Sequence, residues 1–416
     1  MSSRIDKILK ALRAEVKPKA KFSSHNAGVR TSMSIAPVPV NVEKRGKDWV
    51  LYGEDNLYPN KIDELPNGSA IHNSILKTKI KMMTGDGLLI DGAKTKEESD
   101  AKYVALPSEV KAKYDWFLKN PNAKMSMDKI REKLSSDLQK QGYFAYEVVF
   151  NNEFDQIVTV KHLEAKNIRS GKFEDGEVKK YWYCRDWAQC NKKEYEPKEY
   201  HVFTGEDKTH LNQIVFEKVG DAEYYGTPPY VGAITWIYTD CEMGYFHNAN
   251  VSNGMAPGMH FNFFKVPASQ DEEDAIVDGI DKTFKGGRRA GTRLITFSEG
   301  KDLSMELKPI EASNLDKQMI VLAELCDKKI LSGHQLTSPL LAGISVSGQL
   351  GGNTELESAF KIFDKVTIEA DRQLLTNSLQ MVLDYNKIPV TIDVNPFNPF
   401  IGAKTTQSVI TINNGN

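Results

Sequence analysis

Cysteine is scarce in this sequence. The chain of 416 residues contains four cysteines, Cys184, Cys190, Cys241 and Cys326. Domains held together by disulfides carry cysteine at much higher density, so that class is excluded and a reducing cytoplasm is indicated. A secretory signal is lacking as well, because lysine and arginine recur every few residues between Arg4 and Arg13 and interrupt any apolar core. We therefore expect a protein that is made and assembled in the cytoplasm.

An excess of charge of one sign is also lacking. Lysine and arginine total 54, aspartate and glutamate total 56, and the formal net charge is −2. A protein that holds nucleic acid over its whole surface neutralises phosphates with an excess of basic side chains, and this balance argues against that class. Hydrophobic residues make up 40% and charged residues 26%, which is typical of a globular protein of two to four domains at this length.

Two long stretches contain no aspartate, glutamate, lysine or arginine: Met243–Phe264, with 22 residues, and Ile330–Thr354, with 25. Their lengths are sufficient for a membrane span. Pro257, asparagines and glycines interrupt the first stretch, and Pro339 with five glycines interrupts the second. Neither pattern predicts a continuous apolar helix, so we expect no membrane segment and look for another reason for the missing charge.

The basic loop Lys285–Arg293 superficially resembles a phosphate-binding loop. Gly286 and Gly291 have the spacing of the two glycines of such a loop, but Thr292 and Arg293 follow where lysine and then serine or threonine are required. A predicted helix precedes this loop and a predicted strand follows it, which reverses the necessary order. The sequence therefore does not predict a nucleotide site here.

Metal and nucleophile motifs are equally weak. Cys184, Cys190, His201 and His210 have the spacing C-x5-C followed by H-x8-H, which fits neither a zinc finger nor a zinc ribbon. No serine, cysteine or carboxylate lies in a recognisable nucleophile motif such as G-x-S-x-G. We expect no catalytic residue, no metal, no cofactor and no enzymatic activity.

The first half of the chain is predicted to contain an arm followed by a domain of mixed helices and strands. Residues 1–16 can form a short basic amphipathic helix and residues 17–48 lack a clear period, so residues 1–66 are interpreted as the arm. A helix over Ser69–Met83 follows, closed by Gly85. The domain then reaches about residue 225. Its clearest predicted elements are the helices Ser108–Lys119 and Ser126–Gln141 and the strands Leu88–Ile90, Tyr143–Phe150, Ile157–Leu163, Lys179–Arg185, Tyr200–Phe203 and Gln213–Phe216.

The second half is predicted to alternate long helices with an insertion and a loop. Thr227 and two prolines begin a helix of about 25 residues that ends at Gly254. An insertion over 255–310 follows, with strands at Met259–Val266, Arg293–Phe297 and Ser304–Leu307 and a helix begun by a capping box of Ser269 and Glu272. A helix over Leu315–Leu331, the uncharged loop, and a third helix from a capping box of Thr354 and Glu357 to about Tyr385 complete this half.

This order of elements resembles the portal proteins of tailed double-stranded DNA bacteriophages. Local sequence agrees at four places, which are Tyr225–Tyr230 at the start of the first long helix, Asn253–Met259 at its end, Leu340–Gly343 in the uncharged loop and Asn353–Ala359 at the start of the last helix. The resemblance extends over about residues 69–400.

The resemblance implies an α+β portal-type fold. Its regions are an N-terminal arm at 1–66, an α/β wing at 67–228 and 354–400, a two-helix stem at 229–253 and 312–332, a small α/β clip at 254–311, a tunnel loop at 333–353 and a C-terminal tail at 401–416, with the crown absent or minimal. It implies a ring, usually a dodecamer, at the capsid vertex of the virion. Double-stranded DNA passes through such a ring during packaging and ejection, and the partners are the terminase large subunit, the major capsid protein and a head–tail adaptor.

The resemblance assigns the uncharged loop to the channel. A ring multiplies every charged residue by the number of subunits, so one lysine per subunit creates a strongly basic collar, whereas DNA must slide freely. Small polar groups exchange hydrogen bonds with phosphates and water instead. The candidate channel residues are Gln335, Thr337, Ser338, Ser345, Ser347 and Gln349. The alternative is an ordinary flexible surface loop.

Three arginines of the insertion, Arg288, Arg289 and Arg293, are candidates for contact with DNA or with an acidic motor or adaptor surface. A merely solvated loop is the alternative. Three rival functions also stay open at this point: another head–tail connector or adaptor ring, an enzyme with a nucleotide site near Gly286, and a non-viral scaffold protein without a DNA role.

Overall fold

The computed structural model describes residues 41–44, 46–252, 259–263, 267–276, 293–297, 315–344 and 353–400. The described helices are α1 (Tyr58–Gly68), α2 (Ala70–Thr84), α3 (Lys96–Ala105), α4 (Ser108–Lys119), α5 (Met127–Gln141), α6 (Ile234–Ser252), α7 (Leu315–Gly333), α8 (Asn353–Phe363) and α9 (Glu369–Tyr385). The main strands are β1 (Asn41–Glu43), β2 (Val50–Tyr52), β3 (Leu88–Ile90), β4 (Tyr143–Phe150), β5 (Ile157–Leu163), β6 (Ile168–Ser170), β7 (Phe173–Glu174), β8 (Glu177–Val178), β9 (Lys180–Tyr183), β10 (Lys198–Val202), β11 (Asn212–Lys218), β12 (Met259–Phe263), β13 (Arg293–Phe297) and β14 (Ile392–Val394). This mixture confirms the predicted α+β class.

A six-stranded sheet organises the first half, in the order β5-β4-β11-β10-β9-β6. Strand β4 is antiparallel to both of its neighbours, β5 and β11, and almost all of its side chains are buried. Successive side chains of a strand point to opposite faces. Phe144, Tyr146 and Val148 accordingly join one apolar cluster, while Tyr143 and Ala145 pack on the other side of the sheet. Both faces of the sheet are therefore covered.

Helix α5 packs against this sheet because its apolar residues repeat at helical spacing. Ile130, Leu134 and Leu138 are fully buried on one side of the helix. Gly142 ends α5 in a left-handed conformation, with φ of 80°, and a Cβ atom there would lie 1.9 Å from the carbonyl oxygen of Thr227. Only glycine fits this close approach. The bounds predicted for α4, β4 and β5 are confirmed, and α3 was not predicted.

A second apolar cluster joins α1 and β2 to the two long helices. Val50 and Ile62 are fully buried in it, although the sequence placed residues up to 66 in an arm. That boundary was wrong for the described residues 50–66. Long-range contacts, which no local pattern reveals, hold this segment in place: the Tyr52 hydroxyl donates a hydrogen bond to the Gly226 carbonyl (2.7 Å), and Arg169 donates to the side chain of Asn56 (2.6 Å).

Helices α6 and α7 pack against each other in antiparallel fashion. A Cβ atom on Gly333, the last residue of α7, would lie 2.3 Å from the Cβ of Ala233, which directly precedes α6. The end of one helix therefore meets the start of the other. Helix α6 has 19 residues rather than the predicted 25 or so, because the chain after Pro229 first forms a turn and a short 3-10 helix over Val231–Ala233.

Parts of the predicted insertion are described between these helices. Strands β12 and β13 pair in parallel, and the segment 270–276 is helical. The predicted cap by Ser269 is confirmed, because Glu272 donates its backbone N–H to Ser269 Oγ (3.3 Å). The Glu272 carboxylate accepts from the backbone N–H of Ala268 (2.8 Å), one residue before the position that a capping box predicts. The predicted strand Ser304–Leu307 lies outside the described residues.

The last long helix runs through α8 and α9 to Tyr385, as predicted, but it contains a π-helical turn over Asp364–Ile368 that the sequence did not predict. The buried Arg372 pairs with Asp364 across this turn. Helix α8 already includes Asn353 and Thr354, so the predicted capping box at Thr354 was wrong. The Thr354 carbonyl instead accepts a bond from Ser358 Oγ one turn later (2.8 Å). Strand β14 then pairs with β3.

Candidate functional site

The uncharged loop follows α7 directly, and its first part, 333–344, is described. Gln335 has a φ of 57° and turns the chain out of the helix. Pro339 then begins a short 3-10 helix over Pro339–Ala342, which Gly343 ends in a left-handed conformation with φ of 75°. This half of the loop therefore has a defined backbone built from two sharp turns.

Helix α2 holds the 3-10 helix by two side-chain hydroxyls. Ser74 Oγ donates to the Ala342 carbonyl (2.6 Å), and the Thr78 hydroxyl shares its proton between the Leu341 carbonyl (3.2 Å) and the Ser74 carbonyl of its own helix (3.1 Å). Serine and threonine four residues apart lie on the same side of a helix, so both hydroxyls face the loop together. The loop is consequently fastened to the domain that contains the large sheet.

A further bond fastens the loop to the last long helix. Thr337 Oγ1 donates to the carbonyl of Ala359 in α8 (2.7 Å). The described part of the loop thus contacts three elements: α7, from which it continues, α2 and α8. A displacement of any of these helices bears directly on the position of the loop.

A buried pair of histidines lies at the start of the loop. His72 Nδ1 and His334 Nε2 are 2.9 Å apart, and their rings are no more than 1% exposed. The ring of Tyr230 stacks on His334 and meets His72 edge-on. Burial lowers the pKa of His72 to about 3, with the charges of Lys79 and Lys140 acting in the same direction. Burial, with His72 and Lys79, also lowers the pKa of His334 well below its usual value.

The neutrality of this pair has a consequence for the loop. His334 is the one ionisable side chain between residues 333 and 344. Because its pKa is low, it carries no charge near neutral pH, so the described part of the loop carries no side-chain charge at all. His72 was not considered from the sequence, and 262 positions separate it from His334. No local signal was available to bring them together.

The predicted channel residues are distributed as follows. Gln335 and Thr337 are exposed, whereas Ser338 is only 7% exposed and lies against the 3-10 helix. Ser345, Ser347 and Gln349 lie outside the described residues, as do Arg288 and Arg289. Arg293 begins β13 opposite Met259. Of the six predicted channel residues, the structure therefore brings Gln335 and Thr337 together on one exposed stretch.

The two long helices expose several large apolar side chains. These are Tyr245, Phe246 and Val251 on α6 and Ile320, Val321 and Leu325 on α7, with Val251, Ile320 and Val321 each more than 60% exposed. Helices of a single chain that expose so many large apolar groups usually contact another protein surface. The sequence places Tyr245 on the apolar side of the first long helix, although its side chain is 47% exposed, and it did not single out the other five residues.

The cysteines and histidines considered for zinc do not form one group. Cys184 is buried, and its thiol donates to the carbonyl oxygens of Asp186 and Tyr195. Within the described ranges, the one group of three potential metal ligands consists of His201, Asp207 and His210. Asp207 was not considered from the sequence.

None of the described helices is both long enough and apolar enough to cross a membrane.

Comparison with known proteins gives matches in structure alone. No family model matches the sequence, and no curated protein matches it either. A chain from the virion of a native gene transfer agent particle is similar in structure, with a TM-score of 0.51 and 13% sequence identity over 81% of this chain and 83% of that one. A chain from the neck of an empty gene transfer agent particle is also similar, with a TM-score of 0.50 and 14% identity over 79% and 81%. At these identities the similarity shows a shared fold.

Proposed function

We propose that this protein is the portal subunit of a tailed phage or of a related prophage-derived particle. The observation that carries the proposal is the uncharged loop fastened between α7, α2 and α8, in a fold shared with a chain of a virion over four fifths of both lengths. In this proposal the two regions 229–253 and 312–332 form the stem, 254–311 the clip and 333–353 the tunnel loop. The regions 67–228 and 354–400 form the wing.

Ring assembly is the first element of the proposal. The exposed apolar side chains of α6 and α7 supply a surface that neighbouring subunits would bury. The neck of the similar particle was computed with C6 symmetry, which supports a symmetric ring for this chain as well. A closed ring of identical subunits, proposed here as a dodecamer, leaves a channel on its axis. The partners of such a ring are the major capsid protein around it and a head–tail adaptor and the terminase large subunit at the clip.

Passage of DNA is the second element. Each fixed phosphate contact releases counterions and adds affinity, and every subunit repeats the contact. The loop exposes Gln335 and Thr337, and His334 is neutral. The loop can therefore form hydrogen bonds with DNA without binding the phosphates through positive charge. The ring therefore encloses double-stranded DNA independently of its sequence while the separate motor supplies the energy. In this proposal Arg288, Arg289 and Arg293 contact DNA or the acidic surface of the motor or adaptor.

The substitution Gln335→Lys tests this function. One lysine per subunit places a collar of positive charge at the loop, and we expect DNA packaging to slow or stall while rings still assemble. The measurement is packaged DNA length in a reconstituted motor assay, with rings counted by negative-stain microscopy. Asn152→Lys, in an exposed turn of the sheet domain, is the matched control because it adds the same charge elsewhere. Normal packaging by the Gln335→Lys variant would contradict the channel assignment, and a stable monomer would contradict the portal assignment altogether.

A further inference from the structure

The loop that connects the parallel strands β10 and β11 brings three polar side chains together. The two strands are parallel neighbours, with His201 opposite Gln213, so the nine residues 203–211 must carry the chain back to the same end of the sheet. Asp207 and His210 lie in this return. They meet His201 of β10, and one potential ligand atom from each of the three residues lies within 4.8 Å of the other two.

The geometry of the group is close and specific. The rings of His201 and His210 are stacked, with centroids 3.5 Å apart and planes inclined by 13°. His210 Nδ1 lies 2.8 Å from Asp207 Oδ2, so these two atoms share one proton. Side-chain exposures of 22% to 43% leave the group open to solvent. Two imidazoles and a carboxylate are thus side by side in a solvent-accessible position near the end of β10.

The backbone around the group is fixed by neighbouring residues. Gln213, which is fully buried, donates from its amide nitrogen to the carbonyl oxygens of both Asp207 (2.8 Å) and His210 (3.0 Å). The backbone N–H of Thr209 donates to Asp207 Oδ1 (2.8 Å). The loop therefore holds its ligand atoms together before any ion arrives, which reduces the ordering cost of binding.

We propose that His201, Asp207 and His210 bind one divalent transition metal ion of the zinc class. Two nitrogen ligands and one carboxylate suit Zn²⁺ or Co²⁺, whereas Mg²⁺ and Ca²⁺ prefer oxygen ligands throughout. The ion replaces the proton shared by His210 and Asp207, and that proton passes to solvent. Ligand atoms around a tetrahedral ion lie roughly 3.4 Å apart, and the lone pair of an imidazole nitrogen lies in the plane of its ring. The group must therefore contract, and one of the two stacked rings must rotate so that both nitrogens point at the ion, with a water molecule completing the coordination.

Glu199 supports the same assignment by contacting His201, although it is not itself one of the proposed ligands. Its Oε1 lies 3.1 Å from His201 Nε2, on the same strand. Histidines that bind metals commonly donate their second ring N–H to a carboxylate, which orients the ring and strengthens it as a ligand. Glu199 is therefore a positioning residue for His201. The bound ion would fasten the loop 203–211 to the end of strand β10, and this role is independent of the proposed portal function.

Titration of the metal-free full-length protein with Zn²⁺, followed by calorimetry, tests the proposal. We expect one ion per chain and a higher midpoint of thermal unfolding with zinc. Co²⁺ in place of zinc should give the visible absorption of a four-coordinate ion. His201→Gln and His210→Gln should each weaken binding by at least about tenfold, and Glu199→Gln should weaken it by roughly tenfold with unchanged stoichiometry.

Two further variants make the outcome decisive. His247→Gln removes an exposed histidine of α6 outside the group and should leave binding unchanged. His210→Cys replaces one ligand by another, so Co²⁺ binding should persist and acquire the near-ultraviolet absorption of a cobalt–thiolate bond. Circular dichroism establishes that each variant is folded. Absence of Zn²⁺ binding by the unaltered protein would overturn the proposal, as would binding that persists at full strength in folded His201→Gln and His210→Gln variants.

Discussion

The buried histidine pair makes stability depend on pH in a direction that can be worked out from the structure. The pKa of His72 is about 3 in the folded chain against 6.5 for a free histidine, and the pKa of His334 is lowered in the same direction. The unfolded chain therefore binds more protons below pH 6.5. Stability from the pair is fully present above that value and is lost as the pH falls from 6.5 towards the folded pKa values.

The magnitude for His72 follows from its free pKa, because its folded value of about 3 lies well below the pH range considered. Between pH 7.5 and pH 5.0, His72 costs about 2 kcal/mol of unfolding free energy, and His334 adds to this loss in the same direction. The nearby Asp371 acts in the opposite direction, since burial raises its pKa against the effects of Gln139 and Lys79. A measurement on the unaltered protein alone therefore mixes the two effects.

Comparison with the double variant His72→Gln and His334→Gln isolates the pair. Glutamine retains a donor and an acceptor but does not titrate. Urea unfolding, followed by circular dichroism at both pH values, should show that the double variant loses at least about 2 kcal/mol less than the unaltered protein on acidification. The same change for both proteins would refute the conclusion that the two rings are buried and neutral.

Two further predictions concern a glycine and an exposed helix residue. Gly142→Ala should lower the unfolding free energy by about 3 kcal/mol, because its Cβ would overlap the Thr227 carbonyl. Gly92→Ala, also at positive φ but with open space around it, should lower the unfolding free energy by only about 1 kcal/mol. Urea titrations compare the two variants. Val321→Glu should abolish ring assembly without unfolding the chain, because it places a charge on an exposed apolar surface. The control variant Lys329→Glu, on the same helix, should still form rings. Rings formed by the Val321→Glu variant would exclude this face of α7 from the subunit contact.

Periodicity predicted those elements whose stability arises from a regular apolar face. Ile130, Leu134 and Leu138 recur at helical spacing and mark α5, and the alternation of Phe144, Tyr146 and Val148 marks β4. Gly142 separates these two elements. Much of the sheet domain was accessible from sequence for this reason.

Contacts between residues far apart in the sequence could not be predicted from periodicity. Residues 50–66 looked like an arm because Tyr52 and Asn56 gain their order from Gly226 and Arg169, more than 100 positions away. The candidate site shows the same limit. The lack of charge in the loop could be read directly, but its fastening to Ser74, Thr78 and Ala359 and the partner of His334 depend on the tertiary fold.

The hydrogen bonds by which two hydroxyls of α2 hold the loop do not depend on which side chains the loop carries. Ser74 and Thr78 bond to main-chain carbonyls, which every amino acid provides. The contact therefore constrains the sequence of the helix more than that of the loop. The helix must keep a hydroxyl at both positions, whereas the hydrogen bonds place no requirement on the side chains of Leu341 and Ala342, of which Ala342 is limited by its burial instead. The position of the loop in the molecule can therefore stay constant during evolution while the side chain at position 341 changes.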